Sequence, residues 1–80
     1  MKSVKITYFA ILKEHRGLGS ETVDTQTDTA RELYQELKSQ HSLPLDADQM
    51  RVAVNDKLVD WKQKLASGDE IVFLPPVAGG

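Results

Sequence analysis

Apolar and polar residues alternate at the start of the chain, from Val4 to Phe9. A period of two is typical of a strand that buries one face against a core. One face would carry Val4, Ile6 and Tyr8, and the other would carry Lys5, Thr7 and Phe9. The alternation is lost in the segment 10–16, which ends before Gly17. We predict a short helical turn there, closed by the glycine.

The middle of the chain predicts one weak strand followed by one substantial helix. Residues 21–26 are rich in threonine, with Val23 as their apolar anchor. Thr29 and Glu32 then have the spacing of a capping box. A stripe at helical spacing continues until Pro44 and consists of Ala30, Leu33, Tyr34, Leu37 and His41. We expect this stripe to pack on the sheet, with Tyr34 in the core.

The last part of the chain predicts three more strands. Residues 50–54 have the pattern of a buried strand, and Asn55-Asp56 tolerates the tight turn needed before a short strand at Leu58 and Val59. A second turn at 67–69 precedes an apolar strand over 70–74. Two prolines end that strand, because proline donates no hydrogen bond to a ladder.

The element order is strand, strand, helix, strand, short strand, strand. This order predicts an α+β fold of the β-grasp type, a mixed sheet with one main helix on one face, as in ubiquitin. A ferredoxin-like fold ranks second, because it needs another full helix between the last strands. The segment 60–66 is too short for one, and we expect its Trp61 to cap an edge of the core. Residues 1–74 would form the domain and residues 75–80 a flexible, extended, reactive tail.

Composition limits the classes of function. The 80 residues suit one small domain, and a net charge of −2 leaves no broad positive field for nucleic acid or anionic lipid. No apolar run approaches the roughly 20 residues that cross a bilayer, so we expect no membrane contact and a cytoplasmic location. The chain has no cysteine, and His15 and His41 match no ligand spacing, so no disulfide, thiol carrier or metal site is expected.

The tail is the candidate site of chemistry. Pro75 and Pro76 stiffen the chain, while Gly79 and Gly80 remove every side chain from its tip. Such a tip can thread a narrow channel and offers only the Gly80 carboxylate for reaction. A free carboxylate needs activation, most simply as an acyl-adenylate formed with ATP on a partner enzyme, and this chain has no P-loop or dinucleotide fingerprint. Alone, a terminal Gly-Gly would more often be a frayed end, but its place after a final strand and two prolines favours a function.

Four segments carry a resemblance to a known family. They are Val4-Lys5-Ile6-Thr7-Tyr8-Phe9-Ala10, Ala53-Val54-Asn55, Gly68-Asp69-Glu70-Ile71 and Phe73-Leu74-Pro75-Pro76-Val77-Ala78-Gly79-Gly80. Together they make the whole chain similar to the sulfur-carrier family that includes the small subunit of molybdopterin synthase and the thiazole-pathway carrier. The Pro-Pro-Val-x-Gly-Gly ending is the sharpest motif, and the Phe-Leu-Pro-Pro stretch favours the molybdopterin branch over the thiazole carrier.

The resemblance implies a reaction cycle for Gly80. An adenylyltransferase similar to ubiquitin-activating enzymes, using ATP and magnesium, would adenylate it, and a sulfur donor system would convert it to a thiocarboxylate. The large subunit of molybdopterin synthase would hold the active site and use that sulfur to form the dithiolene on precursor Z. The chain itself would bind no cofactor and catalyse nothing alone, and two copies would join a dimer of the large subunit in a heterotetramer.

Two sets of residues are predicted to contact partners. The tail set, which would fit partner channels, consists of Phe73, Leu74, Pro75, Pro76, Val77, Ala78 and Gly79. The second set lies on the sheet face opposite the helix, where alternation places Phe9 and Leu74, joined by Leu58. The alternative is that the segment 10–16 covers Phe9 and Leu74.

Rival functions remain open at this point. A protein modifier would use the same activation but conjugate Gly80 to lysines. A β-grasp binding module would act through the sheet face without tail chemistry, so deleting Gly79-Gly80 would leave its function intact. An independent small enzyme is the weakest option, because no acid-base pair, activated nucleophile or metal cluster stands out.

Overall fold

The structure is a computed structural model that describes residues 1–76. Its elements are β1 (Lys2–Tyr8), α1 (Ala10–Arg16), β2 (Ser20–Thr25), α2 (Ala30–His41), a 3-10 turn (Ala47–Gln49), β3 (Arg51–Val54), β4 (Lys57–Val59) and β5 (Glu70–Leu74). Every predicted strand and helix is present, with bounds that differ by one or two residues.

The five strands form one mixed sheet in the order β2-β1-β5-β3-β4. The first and last strands pair in parallel at its centre, with Ile6 opposite Ile71 and Tyr8 opposite Phe73. The other neighbouring strands are antiparallel. Between β4 and β5 the chain forms turns and no helix, which is the reason that the ferredoxin-like alternative is wrong. The architecture is the predicted β-grasp fold.

Helix α2 packs on one face of the sheet. Its buried residues are Ala30, Leu33, Tyr34 and Leu37, and they meet the inward side chains of β1 and β5 in one core. The predicted capping box is present: the Glu32 amide donates to the Thr29 hydroxyl at 3.2 Å, and the Thr29 amide donates to the Glu32 carboxylate at 3.1 Å. The predicted stripe therefore extends to Leu37, while His41 is only half-buried.

Helix α1 reverses the chain between β1 and β2. Leu12 has no exposed surface and anchors α1 in the core. Gly17 ends the helix with φ 84°, as we predicted from the sequence. Its first residue, Ala10, has φ 52°, a left-handed conformation that costs a non-glycine residue about 1 kcal/mol. This turn separates Phe9, on the open face of the sheet, from Leu12 in the core.

A partly buried cluster of polar side chains ties α1 to β2. Arg16 donates to both carboxylate oxygens of Glu21, at 2.9 and 2.7 Å, and the Tyr8 hydroxyl donates to the same carboxylate at 2.6 Å. The bonds from Arg16 hold the pKa of Glu21 below its usual range, against the opposing effect of burial. Burial, together with the Glu21 carboxylate, raises the pKa of the Tyr8 hydroxyl, which remains a donor at neutral pH.

Asn55 and Asp69 join the β3–β4 turn to the start of β5. The Asn55 side chain donates to the Asp69 carboxylate at 2.9 Å and accepts the Glu70 amide at 3.0 Å. Asn55 and Asp56 both have positive φ, 53° and 71°, as a tight hairpin turn requires. Asp69 also accepts the Ala66 amide at 2.8 Å. These bonds hold the beginning of β5 in register with β3.

The lowered pKa of Glu21 predicts a specific dependence of stability on pH. A carboxyl group whose pKa is lowered by folding stabilises the protein above its unfolded-state value, near 4.3, and loses that contribution as pH falls through its folded value. Glu21→Gln should therefore lower the free energy of unfolding at pH 7 by about 2 kcal/mol and flatten its dependence between about pH 5 and 3. Urea unfolding across this pH range measures both effects. Glu14→Gln, on the exposed side of α1, is the matched control, and equal slopes for the two variants would contradict the role given to Glu21.

Candidate functional site: the tail root and the open sheet face

The tail leaves the sheet from the central strand β5. Leu74, the last residue of β5, pairs with Arg51 of β3 and is half-buried, while Pro75 is half-buried and Pro76 is exposed. The tail residues Val77, Ala78, Gly79 and Gly80 lie outside the described residues, so their predicted roles remain predictions. The division into a domain at 1–74 and a tail at 75–80 also remains a prediction.

Phe73 requires a correction, because it is part of the core and cannot enter a partner channel. Its side chain has no exposed surface. Its ring lies 5.0 Å from that of Tyr34 in a T-shaped contact, 6.0 Å from that of Trp61 in a stacked contact and 6.3 Å from that of Tyr8, measured between centroids. The alternation of β5 requires this position, since Ile71 and Phe73 share the face that meets α2.

The open face of the sheet carries the predicted apolar side chains. Phe9 is 48% exposed and Leu58 is 61% exposed. Two residues that were not predicted also lie on this face: Ala53 pairs with Leu58 on one side and with Val72 on the other. We call Phe9, Ala53, Leu58, Val72 and Leu74 the open-face patch. Its members come from four separate segments, and only the pairing of β3 with β4 and β5 shows that Ala53 and Val72 connect the other three.

Helix α1 flanks this patch without covering Phe9. A groove of about 610 Å³ separates α1 from the root of the tail, and its lining includes Phe9, Ile11, Leu74 and Pro75. A second groove, of about 560 Å³, lies along Leu74, Pro75 and Pro76 on the side of β3. The alternative in which α1 covers both Phe9 and Leu74 is therefore wrong for Phe9, while Leu74 is half-buried. Pro75 and Pro76 therefore lie between two grooves.

Tyr34 and Trp61, which lie close to the end of β5, contribute to the packing of the domain. The hydroxyl of Tyr34 donates to the Leu45 carbonyl at 2.7 Å, and burial with the nearby Asp46 carboxylate raises the pKa of Tyr34 to about 12. Trp61 packs against the edge of the core, as expected.

The described residues provide neither a metal-binding cluster nor a membrane-spanning helix. Among residues 1–76, no group of three or more histidine, cysteine or acidic side chains is arranged to hold a metal ion. Within the same part of the chain, no helix is both long enough and apolar enough to pass through a membrane.

Known proteins resemble this chain over nearly its full length. The molybdopterin synthase sulfur carrier subunit of Escherichia coli is 34% identical over 80 residues, covering 96% of this chain and 99% of the relative. A solved chain from the complex of subunits 1 and 2 of the molybdopterin-converting factor of Helicobacter pylori is 29% identical, with a TM-score of 0.68 and coverage of 98% and 99%. The small archaeal modifier protein 1 of H. volcanii is 25% identical, with a TM-score of 0.79 and coverage of 96% and 100%.

The ThiS family matches residues 6–80, which include the end of β1, the rest of the described fold and the Gly-Gly terminus. With a tail that leaves the central strand of a β-grasp sheet, beside an apolar open face, this chain belongs to the ThiS family.

Proposed function

We propose that this chain is the sulfur carrier subunit of a molybdopterin synthase and carries sulfur as a thiocarboxylate on Gly80. The observation that carries the proposal is the 34% identity, over almost the whole of both chains, to a protein with that name. The fold supports it, because the central strand leads directly into the Gly-Gly tail and the open-face patch lies at the root. The thiazole-pathway carrier is the nearest alternative within the family.

The proposed chemistry begins with activation of the tail. A carboxylate oxygen of Gly80 attacks the α-phosphate of ATP on the activating enzyme, which forms the acyl-adenylate and releases pyrophosphate. A hydrosulfide donor then attacks the acyl carbon and AMP leaves, which forms the thiocarboxylate directly; a persulfide donor would first form an acyl disulfide, which a second thiol reduces to the thiocarboxylate while forming a disulfide with the donor. The thiocarboxylate sulfur then attacks an electrophilic carbon of precursor Z, and hydrolysis of the acyl C–S bond of the resulting thioester leaves the sulfur on the pterin and restores the carboxylate. ATP and magnesium bind to the activating enzyme, and the chain itself needs no bound cofactor.

The body of the protein supplies position rather than catalysis. Gly79 and Gly80 have no side chains, so the tip fits a narrow channel, and the open-face patch gives the large subunit an apolar surface to dock on. Docking at the root aims the tail, which places the reactive carbon near the acceptor and lowers the entropic cost of reaction. The active site would lie in the large subunit, and the complex would be cytoplasmic. Two copies of each subunit would form the heterotetramer that the family resemblance implies.

A protein modifier is the second candidate, favoured by the similarity to the H. volcanii modifier. It would use the same activation of Gly80 and differ only in its acceptor, a lysine amine in place of a pterin precursor. The binding module without tail chemistry is a third possibility, and the same experiment addresses it.

The first test is the intact mass of the chain after incubation with ATP, magnesium, a sulfur donor and the activating enzyme of its host. We expect a mass gain equal to the exchange of one oxygen for sulfur, located at Gly80. A chain that ends at Gly79 is the control. Loss of Gly80 moves the terminal carboxylate back by about 3.3 Å, so the shortened chain should take up no sulfur. It should unfold at the same temperature as the full chain, because the folded domain is unchanged. An unchanged mass for the full chain beside an active enzyme would favour the binding module.

The second test addresses the open-face patch. Leu58→Asp should weaken binding to the large subunit at least about 30-fold, because a charge would be buried in an apolar interface, while the free energy of unfolding changes little at this exposed site. Titration calorimetry measures the affinity. Thr22→Asp places the same charge on the same face at the far edge of the sheet and should bind as the wild type does. Equal affinities for the two variants would exclude Leu58 from the interface.

A further inference from the structure

Trp61 lies in the connection between β4 and β5, and its backbone is held by the start of α2. The Arg31 amide donates to the Trp61 carbonyl at 3.0 Å, and the Ala30 amide donates to the Gln63 carbonyl at 3.0 Å. The first turn of a helix has amides without partners inside the helix, and this connection provides acceptors for two of them. The backbone of Trp61 is therefore attached to α2 independently of any contact made by its side chain.

The side chain reaches from this anchor to the two strands that meet at the tail root. Its ring stacks on Phe73 at 6.0 Å with an interplanar angle of 13°, and it lies 5.8 Å from the ring of Tyr34. The indole N–H donates to the Met50 carbonyl at 3.3 Å. Phe73 directly precedes Leu74, and Met50 directly precedes Arg51. The single side chain of Trp61 thus contacts the residue before each member of the last β3–β5 pair.

That last pair is the weakest point in the support of the tail. The Asn55 amide donates to the Glu70 carbonyl at 2.8 Å, so alternation along an antiparallel ladder makes Ala53/Val72 and Arg51/Leu74 the next hydrogen-bonded pairs. On the other side of β5, the pairing with β1 ends at Tyr8 and Phe73. Leu74 is thus held from one side only, and terminal pairs of this kind open most readily.

We propose that Trp61 is a positioning residue for the tail: it keeps the Arg51/Leu74 pair closed, and with it the direction in which residues 75–80 leave the sheet. The contact with Phe73 holds β5, and the hydrogen bond to Met50 holds the start of β3. At the opposite end of β5 the bonds between Asn55 and Asp69 do the equivalent work. This inference rests on the proposed function for its consequence, since direction matters only if Gly80 must reach a partner's active site.

A small change of direction at Leu74 has a large effect on the position of Gly80, because Gly80 lies six residues further along the chain. A tail of six residues can reach at most about 20 Å, and over that reach a tilt of roughly 10° at Leu74 would displace the tip by about 3 Å. A misplacement of about 1 Å at a reacting centre can reduce a rate about 100-fold. A side chain that never approaches the substrate would therefore control the rate of transfer.

The test compares Trp61→Phe and Trp61→Leu with Val23→Ala. The phenylalanine variant retains a ring against Phe73 and loses the N–H donor, whereas the leucine variant loses both. Val23 is half-buried on β2, at the far edge of the sheet, so its truncation lowers global stability without contacting the root. Native-state hydrogen exchange should show the amides of Arg51 and Leu74 exchanging at least about fivefold faster in Trp61→Phe, beyond the change seen for β1 amides, and faster still in Trp61→Leu. Val23→Ala should show no selective change there.

The second readout is single-turnover sulfur transfer from the charged chain at saturating large subunit. We expect a rate at least about tenfold lower for Trp61→Leu, an intermediate rate for Trp61→Phe and the wild-type rate for Val23→Ala. Unselective exchange, or equal transfer rates for Trp61→Leu and Val23→Ala, would overturn the positioning role. If the wild-type chain takes up no sulfur, the proposed function fails, and the exchange measurement still decides whether Trp61 closes the pair.

Discussion

The parallel pairing of β1 with β5 is the interaction on which the rest of the structure depends. It places the last strand at the centre of the sheet, with β1 on one side and β3 on the other. Parallel neighbours need a long crossover, and the chain from β2 through α2 to β3 and β4 provides it while covering one face. The pairing aligns Ile6 with Ile71 and Tyr8 with Phe73, so residues from both ends of the sequence build the centre of the core.

This arrangement suits the proposed function, in which a non-catalytic body serves a reactive terminus. A tail attached to an edge strand would move with that edge, whereas β5 is held by two neighbours and by aromatic packing around Phe73. One face of β5 belongs to the core, and the other contributes Val72 and Leu74 to the open-face patch. The same five-residue strand therefore stabilises the fold and leads into the tail, and in the proposed function it also forms part of the docking surface. Its two ends contact different groups, Asn55 with Asp69 at one end and Trp61 at the other.

Much of this could be predicted from the sequence, because the features depend on local patterns. Alternation located β1 and β5, the Thr29–Glu32 capping box located the start of α2, and the terminal prolines marked the end of the sheet. The same alternation placed Phe9 and Leu74 on the open face. Phe73 was assigned to the tail set by its position in a terminal motif, although the alternation of β5 already put it on the buried face. In this case the periodicity was the better guide.

Features that depend on contacts distant in sequence were not predictable. Ala53 joins the patch only through the register of β3 with β4 and β5, whereas the alternation of β5 already places Val72 on the same face as Leu74. Trp61 reaches Met50 only because the β4–β5 connection lies against α2. The bond from Tyr8 to Glu21 likewise crosses from β1 to β2 at a register that a single sequence does not specify. The left-handed conformation of Ala10 has no signal in its residue type, since alanine does not favour it.

In the proposed function Gly80 delivers a sulfur atom and does not become attached to the acceptor. This can be followed by mass spectrometry of the purified thiocarboxylate form during one turnover with the large subunit and precursor Z. The chain should return to its original mass, with oxygen in place of sulfur, as an equivalent amount of dithiolene sulfur appears in the pterin. Retention of the sulfur beside an active large subunit, or an isopeptide bond between Gly80 and a lysine as the product, would contradict it.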